Sequence, residues 1–353
     1  MKRKKSLDFL TAVLFVGILL SLTLYIGLGT ALSADKQDYG PRSFNEIFYE
    51  DDAIGYFVKY LNYRVFQQID DESIIIGRED WLFETADSDS GYDYLMDYVG
   101  GSAYTAEELA AIGDRLSERR RLCEEKGVTY LLVVIPNSMT ICQEYLPDYL
   151  GHQSENTRLR GLSAYLSERG ETSFLDLTDS LRADQTLRDL YNNTEDSLNA
   201  YGAYSVYSGI LNALEARGYG VEGHRLSLEE IEFSTRYTEG KEIARKTGLE
   251  RVIQNRTVSL TERMTEPYQT VETTEHCTTT EKTDGTGHGT RLVLELSAEW
   301  DKIQLMPYFS NTFSTVTYEN AVNVLPDSVD YHDGDVLIQV IHESELELLL
   351  RGE

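Results

Sequence analysis

The longest uninterrupted apolar run in the chain is its first. From Phe9 to Leu32 no charged residue occurs, and as a helix this stretch would reach about 36 Å, against roughly 30 Å of bilayer hydrocarbon. Lys2, Arg3, Lys4 and Lys5 precede it, and the positive-inside tendency keeps such a cluster in the cytoplasm. The pattern predicts a cytoplasmic tail over 1–8, a retained transmembrane anchor over 9–32 and an extracytoplasmic remainder, making a single-pass protein of the cell membrane. A cleaved signal peptide, with Ala31 and Ser33 or Ala34 before the peptidase, is the competing reading, but its apolar region runs only about 7 to 15 residues.

A polar, tyrosine-rich lead-in over 33–72 follows. Ser73 to Phe83 then reads as an apolar strand, a turn at Gly77 and an aromatic second strand. Thr105, with Glu108 three residues on, forms a capping-box signature, and Leu109, Ile112 and Leu116 continue it at helical spacing until Gly127. Directly after, Val128 to Ile135 is a nearly unbroken apolar run stopped by Pro136, the mark of a strand buried on both faces. The alternation repeats with a helix over 155–169, a strand at Ser173 to Asp176, a helix from Thr178 and a longer helix from Asn199 to Arg217. This order predicts an α/β fold, a parallel sheet with helices on its faces.

Residues 222–290 break the rhythm. They hold a helix around Lys241 to Thr247, then a Thr- and Glu-rich stretch ending in glycines between Asp284 and Thr290, and read as an insertion or an antiparallel β excursion. Strands resume at Arg291 to Leu296, Val316 to Tyr318 and Val336 to Ile341, with a helix between Asp301 and Phe313.

Charge narrows the partners. The 353 residues carry 32 basic and 60 acidic side chains, a net charge of −28, which repels nucleic-acid phosphates and anionic lipid surfaces. The first 34 residues hold four basic groups and one acid, so about −31 falls on the remainder. Nucleic acid is excluded as a partner, while a well-solvated ectodomain fits. The three cysteines, Cys123, Cys142 and Cys277, are too few for a disulfide framework and lack zinc spacing. They read as buried apolar residues, with one bridge between Cys123 and Cys142 left open. His276 and His288 stand twelve apart, and adjacent His276 and Cys277 point to opposite sides of a strand, so no metal site is expected there. Asp87, Asp89 and Asp93 around Gly91 lack the carboxylate a calcium loop needs at its twelfth position, where Tyr98 stands. No cofactor is implied.

Four segments together resemble a known family. They are "IIIGREDWLF" at 74–83, "GVTYLLVVIPNSMTICQEYLP" at 127–147 with Ser138 in place of a usual Lys, "TEDSLNAYGAYSVYSGI" at 194–210, and "GKEIARKTGL" at 240–249. Their order is similar to the SGNH hydrolase-like proteins of polysaccharide O-acetylation, the AlgX/AlgJ type and the relatives named for a DHHW motif. The resemblance implies an SGNH-like ectodomain over about 73–350. It also implies acetyl transfer by a serine whose hydroxyl is activated by a His that an Asp two residues earlier orients. In this sequence Glu195 stands at the Asp position, Ser197 at the His position and Leu198 at the following Trp. Counting back from Pro307 places Trp300 on the nucleophile. Ser297, just past a strand, is the displaced candidate, with His332 or His342 as its base. The expectation is a glycan-binding or accessory component with the triad lost, acting on a cell-surface polysaccharide beside a membrane-bound O-acyltransferase. The alternative is an active O-acetyltransferase or acetyl esterase with displaced residues. Tyr92, Tyr94, Tyr98 and Tyr104 are the candidates for glycan contact, because a tyrosine ring stacks on a sugar face while its hydroxyl hydrogen-bonds.

Overall fold

The structure is a computed structural model and describes Gly17 and residues 52–87, 90–261, 268–320 and 332–351. The expected tail and, apart from Gly17, the expected anchor lie outside the described residues, as does Asp89. Among the described residues no helix is long and apolar enough to cross a membrane. The chain divides into two compact units, Met1–Val58 and Lys59–Glu353, and the second carries the fold. The end of the predicted lead-in belongs to it, for Tyr63 is buried with Ile74, Leu82 and Leu249.

Elements are numbered within Lys59–Glu353. Ile74–Ile76 (β1) and Leu82–Glu84 (β2) pair antiparallel as the expected hairpin. Short helix α1 (Tyr94–Tyr98) precedes α2 (Ala106–Glu125), which opens on the predicted capping box. The Glu108 N–H donates to Thr105 Oγ1 at 3.2 Å, and the Thr105 N–H donates to Glu108 Oε2 at 2.8 Å. Next come β3 (Thr129–Ile135), α3 (Ser138–Ile141), α4 (Arg158–Glu168), β4 (Phe174–Asp176) and α5 (Thr178–Gln185). A small pair, β5 (Tyr191–Asn192) and β6 (Glu195–Leu198), leads into α6 (Ala200–Ala216). Asn199 caps α6, its Oδ1 accepting from the Tyr201 and Gly202 N–H groups. Gly202 is required here, since a Cβ on it would stand 2.2 Å from the Leu190 carbonyl oxygen.

The remaining elements are β7 (Phe233–Thr238), α7 (Glu242–Thr247), β8 (Asn255–Leu260), β9 (Tyr268–Thr273), β10 (Cys277–Lys282), β11 (His288–Leu296), α8 (Glu299–Thr312), β12 (Phe313–Asn320), β13 (Val336–His342) and α9 (Leu348–Arg351). One sheet dominates, in the order β4-β3-β13-β11-β12-β10-β9. Its first five strands are mutually parallel. Strand alternation splits their side chains between two apolar layers, as a strand buried on both faces requires. Leu131, Val133, Leu294 and Val340 pack with α6 and α8, while Leu132, Val134, Val293 and Leu337 pack with α2 and α4.

Two sequence expectations change. The Thr-rich stretch is only partly an excursion: β7 and β8 form a separate hairpin, but β9 and β10 extend the central sheet, β10 pairing antiparallel with β12. The reason is alternation among threonines, for Thr278 and Thr280 turn inward, and the Thr280 and Ser310 hydroxyls share a hydrogen bond of 2.7 Å. The Cys123–Cys142 bridge is ruled out, because the two thiols are buried in layers on opposite faces of the sheet.

Last in sequence, β13 lies between β3 and β11. The chain leaves β3 toward β4 on one side and β11 toward β12 on the other, so β13 marks the switch point where open α/β sheets bind ligands at their strands' carboxyl ends. Register places His342 directly opposite Ile135, and the loops beginning Pro136-Asn137 and Glu343-Ser344 leave the sheet side by side.

Candidate functional site

A cavity of about 230 Å³ opens at these two strand ends, lined by residues from both loops together with Tyr94, Tyr191, Asp196, Lys246 and others. A larger open groove of about 790 Å³ runs along β1. Its lining holds no hydroxyl nucleophile other than the Tyr149 phenol and no imidazole, whereas the smaller cavity holds His342 and Ser344 and is the candidate site.

His342 ends β13, and its Nε2 lies 2.7 Å from Oδ2 of Asp301. Asp301 sits in the first turn of α8, its side chain only 4% exposed against 25% for His342. Burial by itself would lower the imidazole's pKa, but the charge and hydrogen bond of Asp301, helped by Glu345 and Asp196, hold it up at about 9. The ring is therefore an imidazolium at neutral pH and cannot accept a proton there.

Glu343, next along the chain, is 1% exposed. Its Oε2 accepts from the Asn137 N–H at 2.8 Å and the Thr140 hydroxyl at 3.1 Å. Its Oε1 is buried with no partner among the described residues. Burial raises this carboxyl to about 8, opposed by those hydrogen bonds and assisted by the charges of Asp97 and Asp176. Asp196 faces the cavity from β6 and accepts the Ser138 N–H at 3.1 Å. Burial pushes its pKa up, resisted by the Ser138 hydroxyl and amide and by His342. Lys246 is tied to Glu84 at 2.5 Å and to Glu242 at 3.4 Å. Among the described residues no cluster of three or more His, Cys, Asp or Glu side chains is placed to hold a metal ion.

The sequence-derived candidates fall elsewhere. Glu195 and Ser197 lie two apart on β6, and Asn192 Nδ2 donates to Ser197 Oγ at 3.0 Å. Neither lines the cavity; Asp196 between them does. Period-two alternation carries the signal, since Asp196 lies on the same side of β6 as the buried Leu198. Trp300 is 44% exposed at the start of α8. Ser297 follows β11, its N–H donating to the Val340 carbonyl at 3.4 Å; its Oγ is buried without a partner among the described residues, and it is not part of the lining. His332 lies beyond the opposite, N-terminal end of β13, beside Asp335 and Arg291. A seven-residue strand of roughly 20 Å therefore separates it from His342. Tyr92 and Tyr98 are corrected from glycan platforms to core residues, because both rings are enclosed and expose no face. Tyr104 is half-buried and lies, like Tyr92, under the Arg158 guanidinium. Tyr94 alone of the four reaches the cavity, which Ser344 also lines.

A parallel sheet with helices on both faces and a polar cavity at its carboxyl edge is the arrangement of SGNH hydrolase-like domains. Residues 74–283 match the family described as SGNH hydrolase-like domain, acetyltransferase AlgX. That is more than half of the chain, and the chain belongs to this family. No curated protein sequence matches it. Among solved structures it is similar to PatB1 of Bacillus cereus, with 10% identity and a TM-score of 0.54 over 79% of this chain and 99% of that one. The same protein with a sulfonyl adduct gives 10% identity and a TM-score of 0.55 over 80% and 100%. A DHHW family protein from Eubacterium siraeum gives 12% identity and a TM-score of 0.50 over 77% and 92%. At these identities the likenesses establish the fold.

Proposed function

We propose that this chain is a membrane-anchored, extracytoplasmic family member that serves cell-surface polysaccharide O-acetylation as a glycan-binding or accessory component, with the catalytic triad lost. The observation that carries this reading is the occupancy of the motif positions: Glu195, Ser197 and Trp300 stand where the family's Asp, His and Ser belong, and none lines the cavity. Without an imidazole beside it, a serine hydroxyl is a poor nucleophile. The anchor rests on the apolar run Phe9–Leu32 and the basic cluster before it. A membrane-bound O-acyltransferase is the partner such a component requires.

The test is the O-acetyl content of the surface polysaccharide in cells lacking the protein, complemented with the full chain or with Ser197→Ala or Ser297→Ala. Loss on deletion with full restoration by both variants supports the reading. A folded Ser297→Ala protein that fails to restore acetylation would overturn it. One observation favours a second reading, an enzyme with displaced residues: the His342–Asp301 pair is a base and its orienting acid. Acetyl-ester turnover by the full chain in detergent would then emerge above about pH 9, where the imidazole becomes neutral.

A further inference from the structure

The cavity's charges are unevenly matched. Five carboxylate residues line it, Glu84, Asp87, Asp196, Glu242 and Glu343, against two cations, Lys246 and His342. Both cations are committed: Lys246 sits between Glu84 and Glu242, and His342 is held by Asp301. Among the described residues Asp196 and Glu343 receive hydrogen bonds from neutral groups only, Ser138, Asn137 and Thr140. The unpartnered Oε1 of Glu343 is the sharper sign. A buried acceptor with no donor costs about 1–3 kcal/mol, and in a native structure such an atom calls for an explanation.

We infer that the cavity takes the free ammonium group of a single hexosamine unit, received between Asp196 and Glu343, and rejects uronate and phosphorylated sugars. This rests on the glycan-binding reading above. An ammonium brings three N–H donors and a full positive charge; it meets the orphaned acceptor of Glu343 beside Asp196, and its charge draws the raised Glu343 carboxyl into the ionised form, a proton leaving as it binds. A metal ion does not fit, for no described cluster offers it three ligands. The volume of about 230 Å³ lies below the roughly 300–1,000 Å³ of drug-sized sites and suits one ring of a longer chain. The Tyr94 and Ser344 hydroxyls and the Asn137 amide supply further partners for ring hydroxyls. An incoming carboxylate or phosphate would bring another negative charge to Asp196, Glu84 and Glu242.

The experiment is calorimetric titration of the full-length protein in detergent at about pH 6 with three probes: a β-1,4-linked glucosamine trimer, its fully N-acetylated form and a glucuronate-containing trimer. The expected result is one site for the glucosamine trimer, at least tenfold weaker binding on N-acetylation, and no heat from the glucuronate trimer. Asp196→Asn and Glu343→Gln keep side-chain shape and should each weaken the glucosamine trimer at least tenfold. Diffuse attraction of a cationic sugar to a chain of net charge −28 would barely notice one lost charge, so unchanged binding in both folded variants overturns the inference. Equal affinity for the N-acetylated trimer overturns it too, as does no binding of the glucosamine trimer. If a variant fails to fold by circular dichroism, the wild-type probe series still decides. The broader accessory reading is judged separately, by polysaccharide O-acetylation in cells.

Discussion

Two ion pairs each join a helix to the central sheet, and they differ in how closely the sheet encloses them. Arg119 of α2 reaches both carboxylate oxygens of Glu295 at 3.0 and 3.2 Å. Glu295 lies within β11, beside Gln339 of β13 and Glu319 of β12. The Arg119 guanidinium also stacks over the Tyr130 ring, 5.6 Å from its centroid. His342 and Asp301 instead meet where β13 ends and α8 begins. Glu295 is the penultimate residue of β11, yet β12 and β13 still flank it and α2 covers it, so its pair can only hold structure together. At a strand's carboxyl end the chain departs into loops, the neighbours separate, and a pair of the same kind borders a cavity. Enclosure by paired neighbours, which Glu295 keeps and which His342, three positions beyond Gln339, loses on the β11 side, divides a lock from a site more than residue type does.

The largest expected effect tests the lock. Arg119→Leu should cost about 3–5 kcal/mol in urea unfolding, because it removes the guanidinium that donates to both oxygens of the fully buried Glu295 carboxylate. Arg119→Leu combined with Glu295→Leu should recover most of that loss, since an apolar replacement of a buried pair is often neutral or stabilising. A single-variant loss below about 1 kcal/mol, within the range of an exposed ion pair, would mean the two pairs do not differ as argued.

Asp301→Asn comes next and acts through pH. The folded pKa of His342 is about 9, above the ordinary 6.5. The pair's contribution is therefore fully present below about pH 6.5 and is lost as pH rises through 9. The difference is worth on the order of 3 kcal/mol. Wild-type protein should lose stability between about pH 6 and 10, and Asp301→Asn should flatten that slope while the imidazole NMR titration moves down. A wild-type stability profile without that decline, once other groups are subtracted using the variant, would remove His342–Asp301 from the comparison.

The lock and the site were not equally readable beforehand. Local signals carried the frame: the Thr105–Glu108 capping box, the apolar run ending at Ile135, and Asn199 before α6 each declare themselves within a few residues. The pairs are non-local. Arg119 meets Glu295 across 176 positions and His342 meets Asp301 across 41, and nothing in either neighbourhood names its partner. The motif reading placed weight on Glu195 and Ser197, which lie two apart on β6, but the direction of β6 turns Asp196 to the cavity, supported by the amide of Ser138, 58 positions away. Burial of Tyr92 and Tyr98 was equally hidden, since a tyrosine has the same letter inside or out, before α1 like Tyr92 or at its end like Tyr98. The β9–β10 edge failed for a different reason: threonines suit both faces of a strand, so their alternation carries no hydrophobic contrast.

Trp300→Ser should have the smallest effect, and it probes the site from the family's side. The substitution places a hydroxyl at the position that counting back from Pro307 assigned to the nucleophile. Trp300 is 44% exposed and Asp301 is buried, because consecutive residues of a helix point about 100° apart. A serine at 300 would therefore face away from the carboxylate that holds His342. Stability should change by no more than about 0.5 kcal/mol in thermal melts, as for surface substitutions generally. Turnover of p-nitrophenyl acetate at neutral pH should stay at the buffer rate, since the nearest imidazole by this argument is both misdirected and protonated. Turnover that appears in Trp300→Ser and disappears when His342→Asn is added would show that the helix start and the cavity form a single reaction centre. The His342–Asp301 pair would then be a dormant catalytic dyad that lacks only its serine.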